Sequence, residues 1–253
     1  MFRSFHSRER VSKTAKQGKR SFREQTKLKL QQSLKSPPVG STLTSPIVAL
    51  MIGPDRRVFA AHEDVLSLSP FFAAALKGQF FESASKRVEL PDEIPEIFSC
   101  VLEYLYKGDY YPRLLHNKRH NSWELEDAQD PHNFGGRGSV ESTIYHPGLG
   151  GDLLKDTAVY CAAEKFGLEE LKRLALRKQG LQSGIQVEVI LRSARYAYEN
   201  TPDSDSRLRA HFLALIIRSR KTFKRSGTMQ MEMEIGGSKL HVLFTQYCTT
   251  AAD

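Results

Sequence analysis

Between Ile47 and Leu105 the apolar residues change period twice, and this restricts the fold more than any other feature of the 253 residues. Ile47, Val48, Leu50 and Ile52 form an extended apolar run. Gly53-Pro54-Asp55-Arg56 supplies turn chemistry, and Val58-Phe59-Ala60 resumes the run, which predicts strand, turn, strand. From His62 to Leu68 the texture becomes helical. Ser69-Pro70 opens a second helix, with Ser69 able to cap it, Pro70 suited to its first turn, and Phe71, Phe72, Ala75 and Leu76 following at helical spacing to Gly78. Phe80-Phe81-Glu82-Ser83 reads as a loop and Arg87 to Pro91 as a short strand. Ile94, Ile97, Phe98, Val101, Leu102 and Leu105 then mark one broad apolar face of a helix from about Pro95 to Tyr106. Asp92, Glu93 and Glu96 suit its N-terminal dipole and Gly108 its end. Strands and helices therefore both occur within this stretch.

Pro112 to Asp152 carries no sustained period. It is rich in His, Asn, Gly and charge of both signs, and reads as a long surface insertion between two helices. Helical texture returns at Leu153. Val159, Ala162, Ala163 and Phe166 form one face, ending at Gly167. Leu168, Leu171, Leu174 and Ala175 form the next, with Glu169 and Glu170 at its start and Arg173, Arg177 and Lys178 near its end. Two further amphipathic helices follow, on Val187, Ile190, Leu191, Ala194 and Tyr198, and on Leu208, Phe212, Leu215, Ile216 and Phe223. Met229 to Ile235 alternates strictly, as a half-buried strand does, and Gly236-Gly237 could turn it into a terminal hairpin; Leu240, Leu243, Phe244 and Tyr247 fit a helix equally well.

The net charge of +8 is unevenly placed. Residues 1–40 hold eleven Lys and Arg against Glu9 and Glu24, a net of +9, so the remainder carries −1. The front segment has too little apolar content to repay ordering and reads as a disordered tail. A solvated linker, a nuclear-import or anionic-surface patch, and a mitochondrial transit peptide all fit its composition; its Lys content and weak amphipathicity speak against the last. It has no apolar core of the kind a signal peptide needs, and no stretch of the chain is apolar for the roughly 18 residues of a membrane span. Cys100, Cys161 and Cys248 form no paired motif and read as reduced thiols, consistent with an intracellular protein, nuclear or cytoplasmic.

The string Phe59-Ala60-Ala61-His62-Glu63-Asp64-Val65-Leu66, Ser69-Pro70-Phe71-Phe72, Phe80-Phe81-Glu82-Ser83, Val88-Glu89-Leu90-Pro91-Asp92 and Leu102 to Tyr110 resembles the BTB/POZ domain. Its texture is similar to that of BTB proteins of filamentous fungi. Val159 to Leu171 resembles the helix pair that follows in the family. The resemblance implies an α+β fold, a small mixed sheet flanked by a cluster of α-helices, with a mainly helical C-terminal extension. The expected layout is a tail at 1–42, a BTB/POZ-like domain at 43–178 containing the insertion 111–152, and an extension at 185–253.

The implied function is non-enzymatic protein–protein interaction, with protein partners and homo- or hetero-oligomers. Phe80 and Glu82 fall on the family's hydrophobic-x-Glu motif, which contacts a cullin scaffold in ubiquitin-ligase adaptors. On their own chemistry, Phe80 could equally pack on its own domain and Glu82 cap the next turn. Ser45-Pro46 stands where many members carry Ser-Asp, an acid associated with the dimer interface.

No nucleophile elbow, zinc-protease, P-loop or dinucleotide fingerprint is present, and no catalytic, cofactor-binding or metal residue is assigned. His62 reads as an imidazole hydrogen-bonded to backbone between strand and helix. His116 and His120 have metal-compatible spacing, but two cations and no carboxylate accompany them. Arg218, Arg220, Lys221, Lys224 and Arg225 read as a solvated helix end. With no zinc finger or basic zipper, nucleic-acid binding is expected only through the tail, as salt-sensitive and nonspecific contact.

Overall fold

A computed structural model describes residues 45–77, 87–126, 142–182 and 184–225. Strands β1 (Ile47–Ile52) and β2 (Arg57–His62) form an antiparallel hairpin, and β3 (Arg87–Leu90) runs parallel to β1 on its other side, giving a mixed sheet of order β2-β1-β3. The predicted turn is present. Gly53 has φ +78, its N–H donates to the Leu90 carbonyl at 2.9 Å, and Arg56 N–H closes the turn onto Gly53. A Cβ at Gly53 would sit 3.1 Å from the Pro95 ring, so only glycine lets the hairpin approach the next helix this closely.

Helices α1 (Glu63–Leu66), α2 (Pro70–Lys77) and α3 (Pro95–Lys107) cover the inner sheet face, where Val48, Leu50 and Ile52 are buried. Ser69 is fully buried and does two jobs. Its hydroxyl accepts from the Phe72 N–H at 3.4 Å, capping α2, and donates to the Phe166 carbonyl at 2.6 Å, holding α2 to the end of a distant helix. Beneath lies an aromatic cluster: Phe72 stacks on Phe166 at 5.1 Å, and Phe98 and Phe71 meet them edge-on. Gly108, at φ 73, ends α3 in the left-handed conformation and donates to Tyr104.

The insertion is not the patternless loop read from its composition. It contains a hairpin of β4 (Leu114–Asn117) and β5 (Ser122–Leu125), then a second pair, β6 (Thr143–His146) and β7 (Gly151–Leu154), joined by a 3-10 turn. Four-residue strands show too little alternation to register as periodic, and Gly150, at φ 61, serves a tight turn. Leu153 and Leu154 belong to β7, so the helix begins at Lys155 and not at Leu153.

The remaining helices are α4 (Lys155–Lys165), α5 (Glu169–Gln179), α6 (Val187–Asn200), α7 (Arg207–Arg218) and α8 (Arg220–Arg225). Helix α4 packs against α3, α5, α6 and β7, and Asp156 to Ala163 are buried without a break. The last predicted helix divides at Ser219 into α7 and α8. The alternating segment Met229–Ile235 lies outside the described residues. Among the described residues no helix is long and apolar enough to cross a membrane.

Candidate interaction surface

Strand register sorts the sheet residues onto two faces. Opposite partners share a face, so Val48–Ala61 and Leu50–Phe59 point inward, while Ala49–Ala60 and Met51–Val58 point outward with Ile47. The outer face is apolar and open, with Ile47 64% and Val58 65% exposed. Charge surrounds it without covering it. Arg56 pairs with Glu89 at 2.6 Å while passing within 3.4 Å of the Met51 sulfur, and Arg57 pairs with Glu96 at 3.1 Å. An apolar strip rimmed by ion pairs is the pattern of a protein-binding surface.

Two buried polar junctions fix the scaffold behind this face. In the first, Lys178 is fully buried. Its ammonium donates to Asp109 Oδ1 and to the carbonyls of Tyr110 and Pro112, the last at 2.7 Å. Asp109 also accepts from the N–H groups of Tyr110 and Leu114. Tyr110 donates its hydroxyl to Asp156 at 2.6 Å, and Gln182 donates to the other Asp156 oxygen. Burial raises the Asp156 carboxyl above its ordinary range despite these donors, and burial lowers the Lys178 ammonium against the attraction of Asp109. Position alone marks Lys178 as a helix-end cation for the dipole; the fold turns it inward to hold the α3–β4 connection.

The second junction joins α5 to the α6–α7 turn. Lys172, nearly buried, pairs with Glu164, with Glu169 at 3.0 Å and with Asp205 at 2.7 Å, while Tyr160 donates to Asp205. Burial opposes the Lys172 charge, but the three carboxylates outweigh it and its pKa is raised. Asp205 shows the same contest: burial raises it, the hydrogen bonds from Lys172 and Tyr160 outweigh burial, and it ends low. Ser193 accepts from the Leu154 N–H at 2.9 Å, tying α6 to β7. A cavity of about 350 Å³ lies alongside, between the start of α3, the α4 surface, His146 and the end of α6.

The other residues singled out in the sequence fall as follows. The His62 partner is a side chain and not backbone: its Nδ1 lies 2.7 Å from the Tyr106 hydroxyl, which also accepts the His62 N–H. Tyr106 stands 44 residues away, so no local pattern links the two. The His116 ring lies 4.8 Å from Trp123, tilted by 53°, and Arg177 lies over the Trp123 ring. Desolvation pushes the Cys100 thiol to about 11 and the Cys161 thiol higher still, which makes both poor nucleophiles at neutral pH. Among the described residues no cluster of His, Cys, Asp or Glu could hold a metal ion. Phe80 and Glu82 lie outside the described residues, in the connection from α2 to β3.

A small mixed sheet with helices packed on one face and an open apolar strip on the other is an arrangement suited to binding another protein. The BTB/POZ family model matches residues 48–118, from β1 to the turn after β4; this chain carries a BTB/POZ domain. No curated protein matches the chain.

Proposed function

We propose that the chain works without catalysis, as an adaptor that joins a cullin-type scaffold to a second protein. What supports this is the BTB/POZ match, which runs through Phe80 and Glu82, together with an open apolar sheet face on which a second partner could bind. An apolar knob beside a carboxylate makes a small, specific contact. Purified chain is tested against immobilised cullin N-terminal domain. Phe80→Ala and Glu82→Lys are expected to abolish retention while circular dichroism stays unchanged. Retention equal to wild type, or no retention by the wild type, ends the cullin reading.

A second reading rests on the +9 net charge of residues 1–40 against −1 for the rest, which supports attachment of an intracellular protein, nuclear or cytoplasmic, to nucleic acid. Deleting residues 1–36 is then expected to abolish salt-sensitive DNA retention, and indifference to the deletion removes this reading.

A further inference from the structure

The 350 Å³ cavity is divided by chemistry. Its floor is apolar, built from Ile97, Ala158 and Ala162. Its rim offers hydrogen-bond acceptors in excess of donors. The Lys165 ammonium is engaged by Glu93, and the Asn200 amide nitrogen donates to the Tyr196 carbonyl at 2.9 Å. Beside the Tyr196 phenol, the rim presents the Asp92 carboxylate, which has no partner among the described residues, the second oxygen of Glu93, and the Asn200 side-chain carbonyl. His146 lines the same cavity, and its buried Nδ1 has no hydrogen-bond partner. Glu164 is already held by Lys172, so the negative edge is Asp92 and Glu93, offset in part by Lys165.

An apolar floor under an acceptor-rich, negative rim suits a group with a long apolar stem and a donor-only cationic head. Guanidinium has five N–H donors in a planar fork and no acceptor, is weakly hydrated, and is carried on three methylenes that bury against apolar surface. The volume lies in the lower range of ligand pockets, enough for one large side chain. We propose that this cavity, at the seam between the BTB/POZ core and α6, is a docking site for an arginine side chain of a protein partner. The proposal rests on the chain being a partner-binding module and is independent of the cullin contact, because its test involves neither Phe80 nor Glu82.

The test titrates the full chain, labelled with ¹⁵N, with the peptide acetyl-Gly-Leu-Arg-Leu-Gly-amide and with the same peptide carrying citrulline, the neutral isostere of arginine. The arginine peptide is expected to shift the amides of Ala162, Lys165, Tyr196 and Asn200 saturably. The citrulline peptide and the Asp92→Asn variant are each expected to bind roughly tenfold more weakly, and Asp92→Glu to restore binding. Asp92 is exposed and bonded to no described residue, so Asp92→Asn leaves the fold intact, which the unchanged remainder of the spectrum verifies. No saturable shift, shifts centred elsewhere, or equal affinity for the two peptides overturns the proposal.

Discussion

The sheet-and-helix core and the junctions around it are held by different forces. The core of β1, α2, α3 and the end of α4 is joined by rings and aliphatic chains. Phe72, Phe98 and Phe166 are all fully buried, and the Ser69 hydroxyl that bonds the Phe72 N–H and the Phe166 carbonyl closes the helix ends beside them. The junctions that hold α5, α6 and the insertion use buried charge, in Lys178 with Asp109 and in Lys172 with Asp205. Apolar burial is indifferent to pH and scales with area, whereas a buried ion pair contributes only while both partners keep their charge. The core is therefore expected to resist acid that loosens its surroundings.

Removing a ring from the cluster gives the largest expected effect. Phe98→Ala is expected to cost about 3–5 kcal/mol in urea unfolding, with no dependence on pH between 4 and 8. A loss under about 1 kcal/mol would mean that the aromatic cluster does not carry the core. Lys178→Met comes next, at about 3 kcal/mol or more, because it leaves the Asp109 carboxylate buried without its cation. Adding Asp109→Leu should recover only part of that loss, since Asp109 also accepts from the N–H groups of Tyr110 and Leu114.

Two carboxylates then test the comparison by sign. The Asp205 pKa is lowered in the folded chain, so its contribution is present above its unfolded pKa and is lost as pH falls through the folded one. Asp205→Asn is expected to cost about 1–3 kcal/mol at pH 7, and the gap from wild type should close below about pH 3.8. Asp156 runs the other way. Its folded pKa is raised, so its contribution is full in acid and is lost as pH rises through that pKa. Asp156→Asn should therefore flatten the stability profile on the neutral side, where the Asp205 variant steepens nothing. Thermal unfolding across pH distinguishes the two, and profiles of the same sign would refute the assignment.

The smallest expected effect is on the open sheet face. Val58→Asp should change stability by about 0.5 kcal/mol or less, because the side chain is 65% exposed. A larger loss would show that the face is covered in the isolated chain.

Legibility in the sequence follows the same division. Regions with local period, such as Ile47–Ile52 and Pro95–Lys107, are found where periodicity places them, and Ser69-Pro70 starts α2 as its chemistry requires. The insertion escaped because its strands are four residues long. Helix α4 was readable as a helix but not as the buried centre. Asp156, Thr157 and Tyr160 look like its polar side until α3, α5, α6 and β7 enclose them. The candidate surface was half legible. Phe80 and Glu82 stand out in the sequence by their motif alone and lie outside the described residues. The outer sheet face appears only once the register assigns Met51 and Val58 to the same side.

The sequence by itself determined the elements that have a local period, the capping of α2 and α3, the hairpin turn at Gly53 and the separation of a +9 segment from a neutral remainder, because each is set by residues within a few positions of one another. Tertiary structure decided that Lys178 turns inward to Asp109, that His62 meets Tyr106, and that the start of α3 and the end of α6 enclose a cavity with an acceptor-rich rim. Those pairs stand 44 or more residues apart, and their desolvation and hydrogen bonding are fixed only when several helices close around them.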